Sequence, residues 1–296
     1  MTPTRDIKEL QRIARKLRLA IVQMVGPNQK GHFGGSCSSA DFVTALYFAK
    51  MRHDPANPSW PDRDRFLLSK GHSALVQYAA LAECGYFPRE ELARLKTLGA
   101  MLQGHPDRNT TPGVEANTGS LGQGLSLACG MAAGHKIDGR KCKVYCVLGD
   151  GEIAEGQIWE AAMAAAHYKL DNVVAILDRN GLQTNGPTDV RYSSSPIDQK
   201  WRAFGWHVQE INGHDMPEIL TALDRADEIS GQPKIIIART VKASGIPFAE
   251  GRAEFHNGIM TVEQYTEACR VLAADPVGSK SQDSSVNVPR STLRGI

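Results

Sequence analysis

Near the start of the chain, apolar residues recur at helical spacing (Ile7, Leu10, Ile13, Leu17, Ala20, Ile21, Met24), which predicts an amphipathic helix over residues 5–25. Gly26-Pro27-Asn28 stops it. A glycine-rich turn from Lys30 to Gly35 follows, then a helical stretch from Ser39 to Met51. The Pro- and Asp-rich run His53–Arg65 reads as loop. Phe66-Leu67-Leu68 reads as a short buried strand ending at Ser69-Lys70-Gly71-His72. Helices are predicted over residues 74–84 and Pro88–Leu98, the second with Glu90 and Glu91 in its first turn, where the helix dipole favours acids. Residues 99–124 form a glycine-punctuated loop, and the small residues of Leu125–His135 suit a tightly packed, buried helix.

Beyond this point the pattern alternates. Lys143–Leu148 reads as a strand, Glu155–Tyr168 as an Ala-rich helix and Asn172–Leu177 as a second strand. Such a βαβ unit carries parallel strands joined by a right-handed crossover. A helix over 197–204, a strand Trp206–Glu210, a helix over 217–229 and a strand Lys234–Arg239 continue the series. The expected fold is α/β, a doubly wound, mostly parallel sheet with helices on both faces. No internal repeat is visible. One domain over residues 1–274 is expected, with the aperiodic segment 275–296 as a flexible tail.

Composition narrows the class. At 296 residues a fold buries roughly three quarters of its unfolded surface. With 42% hydrophobic and 22% charged residues the chain is no disordered protein. A formal charge of +2 without a basic run argues against nucleic acid as a partner. No apolar run nears the ~20 residues that span a bilayer, and the first residues lack a signal-peptide core, so no membrane association is expected. Six cysteines without a CxxC pair read as reduced thiols, pointing to a cytoplasmic location.

The candidate chemistry lies in the βαβ unit. Gly149-Asp150-Gly151 stands where its first strand ends, and Asn180-Gly181-Leu182 where its second ends. In a parallel sheet both ends share the carboxyl edge, where ligands bind, so Asp150 and Asn180 are expected to converge. A carboxylate, an amide oxygen and nearby main-chain carbonyls are hard ligands for Mg²⁺ or Ca²⁺, and Mg²⁺ commonly shares its shell with substrate phosphates. The crossover helix start near Glu155-Gly156 offers free N–H groups to a phosphate. A glycine turn in which Asp150 merely caps the helix is the plainer alternative. Gly119–Gly124 has the spacing G-x-x-G-x-G, with neither the strand before it nor the acid after it that a dinucleotide site requires. No Walker A, HExxH or GxSxG pattern occurs.

A GDG followed about thirty residues later by an Asn-bearing turn is similar to the thiamine diphosphate fingerprint. The surrounding segments resemble transketolase: Gly31-His32, Ser69-Lys-Gly-His72, Gly104-His105-Pro106, Pro112-Gly-Val-Glu115, Thr118-Gly-Ser-Leu-Gly-Gln-Gly124, and Thr240-Val-Lys-Ala-Ser-Gly245 leading to His256. The resemblance runs in order over roughly residues 10–260 and covers the N-terminal, diphosphate-binding half of that family. It implies the N-terminal subunit of a split transketolase that moves a two-carbon ketol unit, with thiamine diphosphate and Mg²⁺ as cofactors (Ca²⁺ or Mn²⁺ as substitutes). Pentose-phosphate sugars are the default substrates.

By the same resemblance, Asp150, Asn180 and the Leu182 carbonyl match metal ligands. Gly149, Gly151, His72, His256 and the turn Gly119-Ser120-Leu121 match positions beside the cofactor. His32, His105 and His256 match histidines lining the substrate channel, and Glu155 matches an acid at the subunit interface. Imidazoles titrating near neutrality would suit proton transfer to sugar hydroxyls. Phe33 stands where the family more often has Pro, and Asn117 and Ser120 replace Thr and Pro, changes that bear on donor preference more than on the cofactor. His53, His135, His167 and His207 lack a supporting motif, and His214 reads as structural.

The pyrimidine-binding domain, with the family's activating glutamate and main sugar-phosphate contacts, lies outside the matched half. The resemblance therefore implies a C-terminal partner chain, most simply in an α2β2 assembly, and an inactive isolated chain. The alternatives are one chain of a 2-oxo acid dehydrogenase, a deoxyxylulose-phosphate-synthase-like enzyme and a non-catalytic regulatory subunit. The His32/His72/His105 set speaks against the first, and the intact motif residues against the last.

Overall fold

A computed structural model describes residues 3–274. The expected tail at 275–296 lies outside the described residues. The chain opens with helix α1 (Ile7–Val25), whose Asp6 side chain accepts from the Lys8 and Glu9 amides and so caps it. A two-residue strand β1 (Lys30–Gly31) leads to helices α2 (Phe33–Ser38) and α3 (Ala40–Ala45) and a π turn over Leu46–Lys50. Strand β2 (Arg65–Leu68), helix α4 (Ala74–Cys84) and helix α5 (Gln123–Ile137) follow. Strand β3 (Val144–Gly149), helix α6 (Gly156–His167) and strand β4 (Val173–Arg179) form the anticipated βαβ unit. A small ladder β5 (Leu182–Gln183) and β6 (Gly186–Pro187) precedes helices α7 (Thr188–Arg191) and α8 (Ile197–Ala203). Strand β7 (His207–Asn212), helix α9 (Met216–Glu228), strand β8 (Lys234–Arg239), strand β9 (Gly258–Ile259) and helix α10 (Val262–Ala273) complete it.

Strands β2, β3, β4, β8 and β7 lie in that order in one five-stranded sheet, every pair parallel. Its side chains alternate between two cores. Phe66, Leu68, Tyr145, Val147, Val174 and Ile176 face the core built with α1, α3, α4 and α9. Leu67, Val144, Cys146, Leu148, Val173 and Ala175 face the core built with α5, α6 and α8. Burial on both faces explains why these strands read as continuous apolar runs.

Three local differences from the sequence reading matter. Helical structure starts at Phe33 rather than Ser39, although Gly34-Gly35-Ser36 are poor helix formers. Close packing overrides propensity: a Cβ on Gly34 would lie 2.5 Å from the Phe255 carbonyl oxygen, and one on Gly35 2.8 Å from Ser73 Oγ. The expected helix Pro88–Leu98 is a 3₁₀ stretch over Arg89–Arg94 only. Helix α10, which packs on α1, has no counterpart among the expected elements, although its capping box (Thr261 with Gln264) is legible in the sequence. All six cysteines are free. Among the described residues no helix is long and apolar enough to cross a membrane.

Candidate active site

The carboxyl ends of β2, β3, β4 and β8 open on one pocket of about 390 Å³. Register explains the convergence. Gly149 pairs with Asp178 and Asp178 with Ala238, so the residues that follow leave the sheet together. Asp150 does not cap a helix. Its Oδ2 accepts from the Gly181 amide at 2.5 Å and its Oδ1 from the Gly151 amide at 2.9 Å. The two turns singled out in the sequence therefore touch. Asn180 and Leu182 line the same pocket, and the Leu182 amide donates to Asn180 Oδ1 at 3.1 Å. Gly149, Gly151, Leu121, His32, His72, His256 and Glu155 also line it.

The expected helix N-terminus is one turn removed. A 3₁₀ turn over Glu152–Ala154 stands between Gly151 and α6, which begins only at Gly156. The turn's buried Glu152 is itself a clasp. It accepts from Ser69 Oγ at 2.5 Å, from the Gly149 amide at 2.9 Å and from the Gly122 amide at 3.0 Å. One carboxylate thus ties the ends of β2 and β3 to the turn that carries Gly119, Ser120 and Leu121.

Three of the candidate histidines cluster. Ring centroids lie 5.2 Å apart for His32 and His72, 4.9 Å for His72 and His256, and 5.6 Å for His32 and His256. Helix α2 brings them together, since His32 stands at its N-terminus and it packs against the 3₁₀ turn Ala253–Asn257 that bears His256. The expectation of imidazoles titrating near neutrality is corrected. Burial, then the neighbouring Lys96 and His105, push His32 down to about 4. Burial, then Lys70, push His72 to about 2, and burial, then Lys242, push His256 to about 3. All three are neutral imidazoles at pH 7, each able to donate from one ring nitrogen and accept at the other.

His105, Gly119 and Ser120 line a neighbouring groove instead, with Asn117 beside them. The two spaces adjoin at Ser120-Leu121, the first residue lining the groove and the second the pocket. Of the departures from the family pattern, Phe33 packs its ring 5.7 Å from that of Phe255, and Asn117 Oδ1 accepts from the Arg108 amide. His214 is structural as read. Its Nδ1 lies 2.7 Å from Asp41 Oδ2, and its Nε2 accepts from the Val241 amide.

Besides Glu152, three charged side chains of the site carry no assignment from the sequence. Lys70, Lys242 and Asp178 are all almost fully buried. Lys70 Nζ donates to Asp178 Oδ2 at 2.5 Å and to the Gly35 carbonyl at 2.8 Å, and Lys242 Nζ donates to His256 Nδ1 at 3.3 Å. Burial pushes Lys242 down to about 8. The motifs containing both lysines are legible, but only the histidines in them point to a role.

The donor set fits a metal-bound diphosphate. Burial, then Asp178, push the Asp150 carboxyl up to about 6, so the pocket floor holds a carboxylate whose charged form a divalent cation would stabilise. Two buried ammonium groups in the pocket wall suit a polyanion. At Gly35 the wall leaves no room for a side chain, since a Cβ there would lie 2.8 Å from Ser73 Oγ.

Comparison with known proteins gives this site its class. The family model described as transketolase, thiamine diphosphate binding domain, matches residues 9–282. The chain belongs to the transketolase family, and its fold is the family's thiamine diphosphate-binding α/β domain. The transketolase of Campylobacter jejuni superposes with a TM-score of 0.86 at 34% identity, covering 93% of this chain but 44% of that one. Within the family the chain is similar to separate subunits along nearly their whole length. It is 45% identical over 264 residues to the 6-deoxy-6-sulfo-D-fructose transketolase subunit SqwG of Clostridium sp. (strain MSTE9), covering 89% of this chain and 96% of that one. It is 43% identical over 268 residues to an apulose-4-phosphate transketolase subunit of Phocaeicola vulgatus, covering 90% and 95%. It spans under half of the solved transketolases it matches.

Proposed function

We propose that this chain is the diphosphate-anchoring subunit of a two-chain transketolase, which carries a two-carbon ketol unit from a ketose to an aldose in the company of a second, pyrimidine-binding subunit. The observation that carries this reading is the joining of the Asp150 and Asn180 turns beneath three neutral histidines. Asp150, Asn180 Oδ1 and the Leu182 carbonyl would hold Mg²⁺, with Ca²⁺ or Mn²⁺ acceptable to the same hard oxygens. Gly149, Gly151, His72, Lys70 and Lys242 would surround the diphosphate, and the turn Gly119-Ser120-Leu121 the ring next to it. When bound, thiamine diphosphate supplies the nucleophilic carbon and the electron sink for breaking a carbon–carbon bond beside a carbonyl.

The chain's own side chains do the rest. His32 and His256, uncharged at neutral pH, hold sugar hydroxyls, each accepting at one ring nitrogen and donating from the other, so that a proton taken up at one nitrogen is matched by one released from the other and no net charge is left on the ring. His105 extends this lining into the neighbouring groove. Glu155, exposed at the rim, would meet the second subunit in an α2β2 assembly. Lys30 and Lys96 are exposed near His32 and have no acidic partner among the described residues. Together with the sulfonated and phosphorylated sugars named for the relatives, they support a ketose with an anionic end.

The test combines this chain with a candidate second subunit, Mg²⁺ and thiamine diphosphate, and follows ketol transfer in a coupled assay. Activity is expected only from the mixture. Full turnover by this chain alone overturns the two-chain reading. A pH prediction comes with it. Because protons compete with the metal for Asp150, Mn²⁺ affinity in the presence of thiamine diphosphate should be level above pH 6 and fall by up to about tenfold per pH unit below it. Titration of Mn²⁺ binding from pH 5 to 8 checks this, and a flat profile removes Asp150 as a ligand.

A further inference from the structure

Beside the candidate metal ligands lies a buried polar hub whose carboxylate, Asp178, has no role in the proposed mechanism. Asp178, at the end of β4, is fully buried. Its carboxylate accepts from Lys70 Nζ at 2.5 Å, from Ser38 Oγ at 2.7 Å and from Thr240 Oγ1. It also accepts from Asn180 Nδ2 at 3.0 Å. Lys70 Nζ forms a buried ion pair with it at 2.5 Å, the pairing of an ammonium with an ionised carboxylate. An ionised carboxylate only accepts hydrogen bonds. It can therefore face the NH₂ end of the Asn180 amide and not the oxygen end.

We propose that Asp178, fixed by Lys70, is a positioning residue that sets the orientation of the Asn180 side chain. With Nδ2 committed to Asp178, Oδ1 turns the other way. One of its lone pairs takes the Leu182 amide, and the second is left for a cation. Ser38 lies on α2, Lys70 follows β2 and Thr240 follows β8, so one carboxylate sets the amide relative to three other elements of the pocket. Such outer contacts orient ligands and tune metal affinity. This inference rests on the reading of the pocket as a metal-diphosphate site.

The experiment measures Mn²⁺ binding to the full chain by water-proton relaxation enhancement, with millimolar thiamine diphosphate present. Asp178→Asn gives the amide a partner that both donates and accepts, so Asn180 is free to turn over. Mn²⁺ affinity should fall on the order of 10- to 100-fold. Simple loss of a negative charge near the metal would also weaken binding, so the decisive arm is a double-mutant cycle with Asn180→Ala. If Asp178 acts through Asn180, Asp178→Asn changes affinity less than about twofold in the Asn180→Ala background. Equal losses in both backgrounds overturn the proposal. Should Asp178→Asn fail to fold, Asp178→Glu keeps the counter-ion of Lys70 while displacing the carboxylate, and it enters the same cycle with the same expectation. Absence of thiamine diphosphate-dependent Mn²⁺ binding in the unmodified chain overturns the functional reading itself. Strong binding there with an unaltered Asp178 variant overturns this inference alone.

Discussion

Asp150→Ala, assembled with the second subunit, is expected to lose ketol transfer by on the order of 10³-fold at limiting Mg²⁺, since a metal contributes several kcal/mol to such a site. The geometry concentrates the effect on this residue. Its two oxygens already accept from the Gly181 and Gly151 amides, so they are aimed and held before any ligand arrives. Its carboxyl is pushed up to about 6 because burial and Asp178 disfavour its charge. In the ligand-free chain the ionised form is therefore a strain on the fold. A carboxyl whose folded pKa lies above its unfolded value destabilises the folded state once it ionises, as it does at neutral pH. Asp150→Asn removes that charge with little change of shape. It should match the alanine variant in lost activity, while relief of the charge and the loss of one acceptor, for the Gly151 or the Gly181 amide, oppose each other and leave the ligand-free melting temperature within a few degrees of the unmodified chain's. Coupled assay and thermal unfolding on the same samples check both halves. An Asp150→Asn variant with activity within tenfold of the unmodified assembly would remove Asp150 from the metal site.

The parts of this site that can be read from the sequence are those whose chemistry depends on order along the chain. Gly149-Asp150-Gly151 and Asn180-Gly181-Leu182 occupy matching strand ends, and strand ends are predictable because β3 and β4 are apolar on both faces. Helix α4 and strand β8 likewise fall on the residues expected. Lys70, Asp178, Lys242 and Glu152 escape such a reading because charged residues are rarely buried, and nothing local marks the exceptions. Their burial is tertiary. Asp178 and Lys70 are far apart in sequence and become tolerable inside only when paired, and Glu152 is satisfied by a hydroxyl and two amides from three loops. Helix α2 is hidden for a related reason, since two glycines weaken a helix unless closeness to Ser73 and Phe255 requires them. The histidine pKa values differ from expectation because the sequence shows the imidazoles but neither their burial nor the lysines next to them.

Asp41→Ala should destabilise the chain by about 3–5 kcal/mol, the usual cost of stranding one partner of a buried ion pair. Arg18 from α1 and Asp41 from α3 are both over nine-tenths buried, and they meet in a two-point pair at 3.1 and 2.5 Å. Arg18 also donates to the Cys37 carbonyl, and His214 closes the other side of Asp41 at 2.7 Å. Replacing the pair with apolar residues, as in Arg18→Met with Asp41→Leu, should cost less than the single change because no charge is left unpaired. Burial pushes the Asp41 carboxyl up, but Arg18 and His214 outweigh it and hold it below its ordinary value. A depressed folded pKa contributes stability that is present above the unfolded value, near 4, and is lost as pH falls through the folded one. The unmodified chain should therefore lose stability below about pH 4 more steeply than the apolar pair. Urea unfolding at pH 7 and pH 3.5 measures both differences. The same contact has a reach into the pocket, because His214 Nε2 accepts from the Val241 amide, next to Lys242. Asp41→Ala should thus also loosen the loop that presents Lys242 and weaken diphosphate binding in the folded fraction. A loss of stability under 1 kcal/mol would show that the buried arginine finds another partner, and the coupling to Lys242 would fall with it.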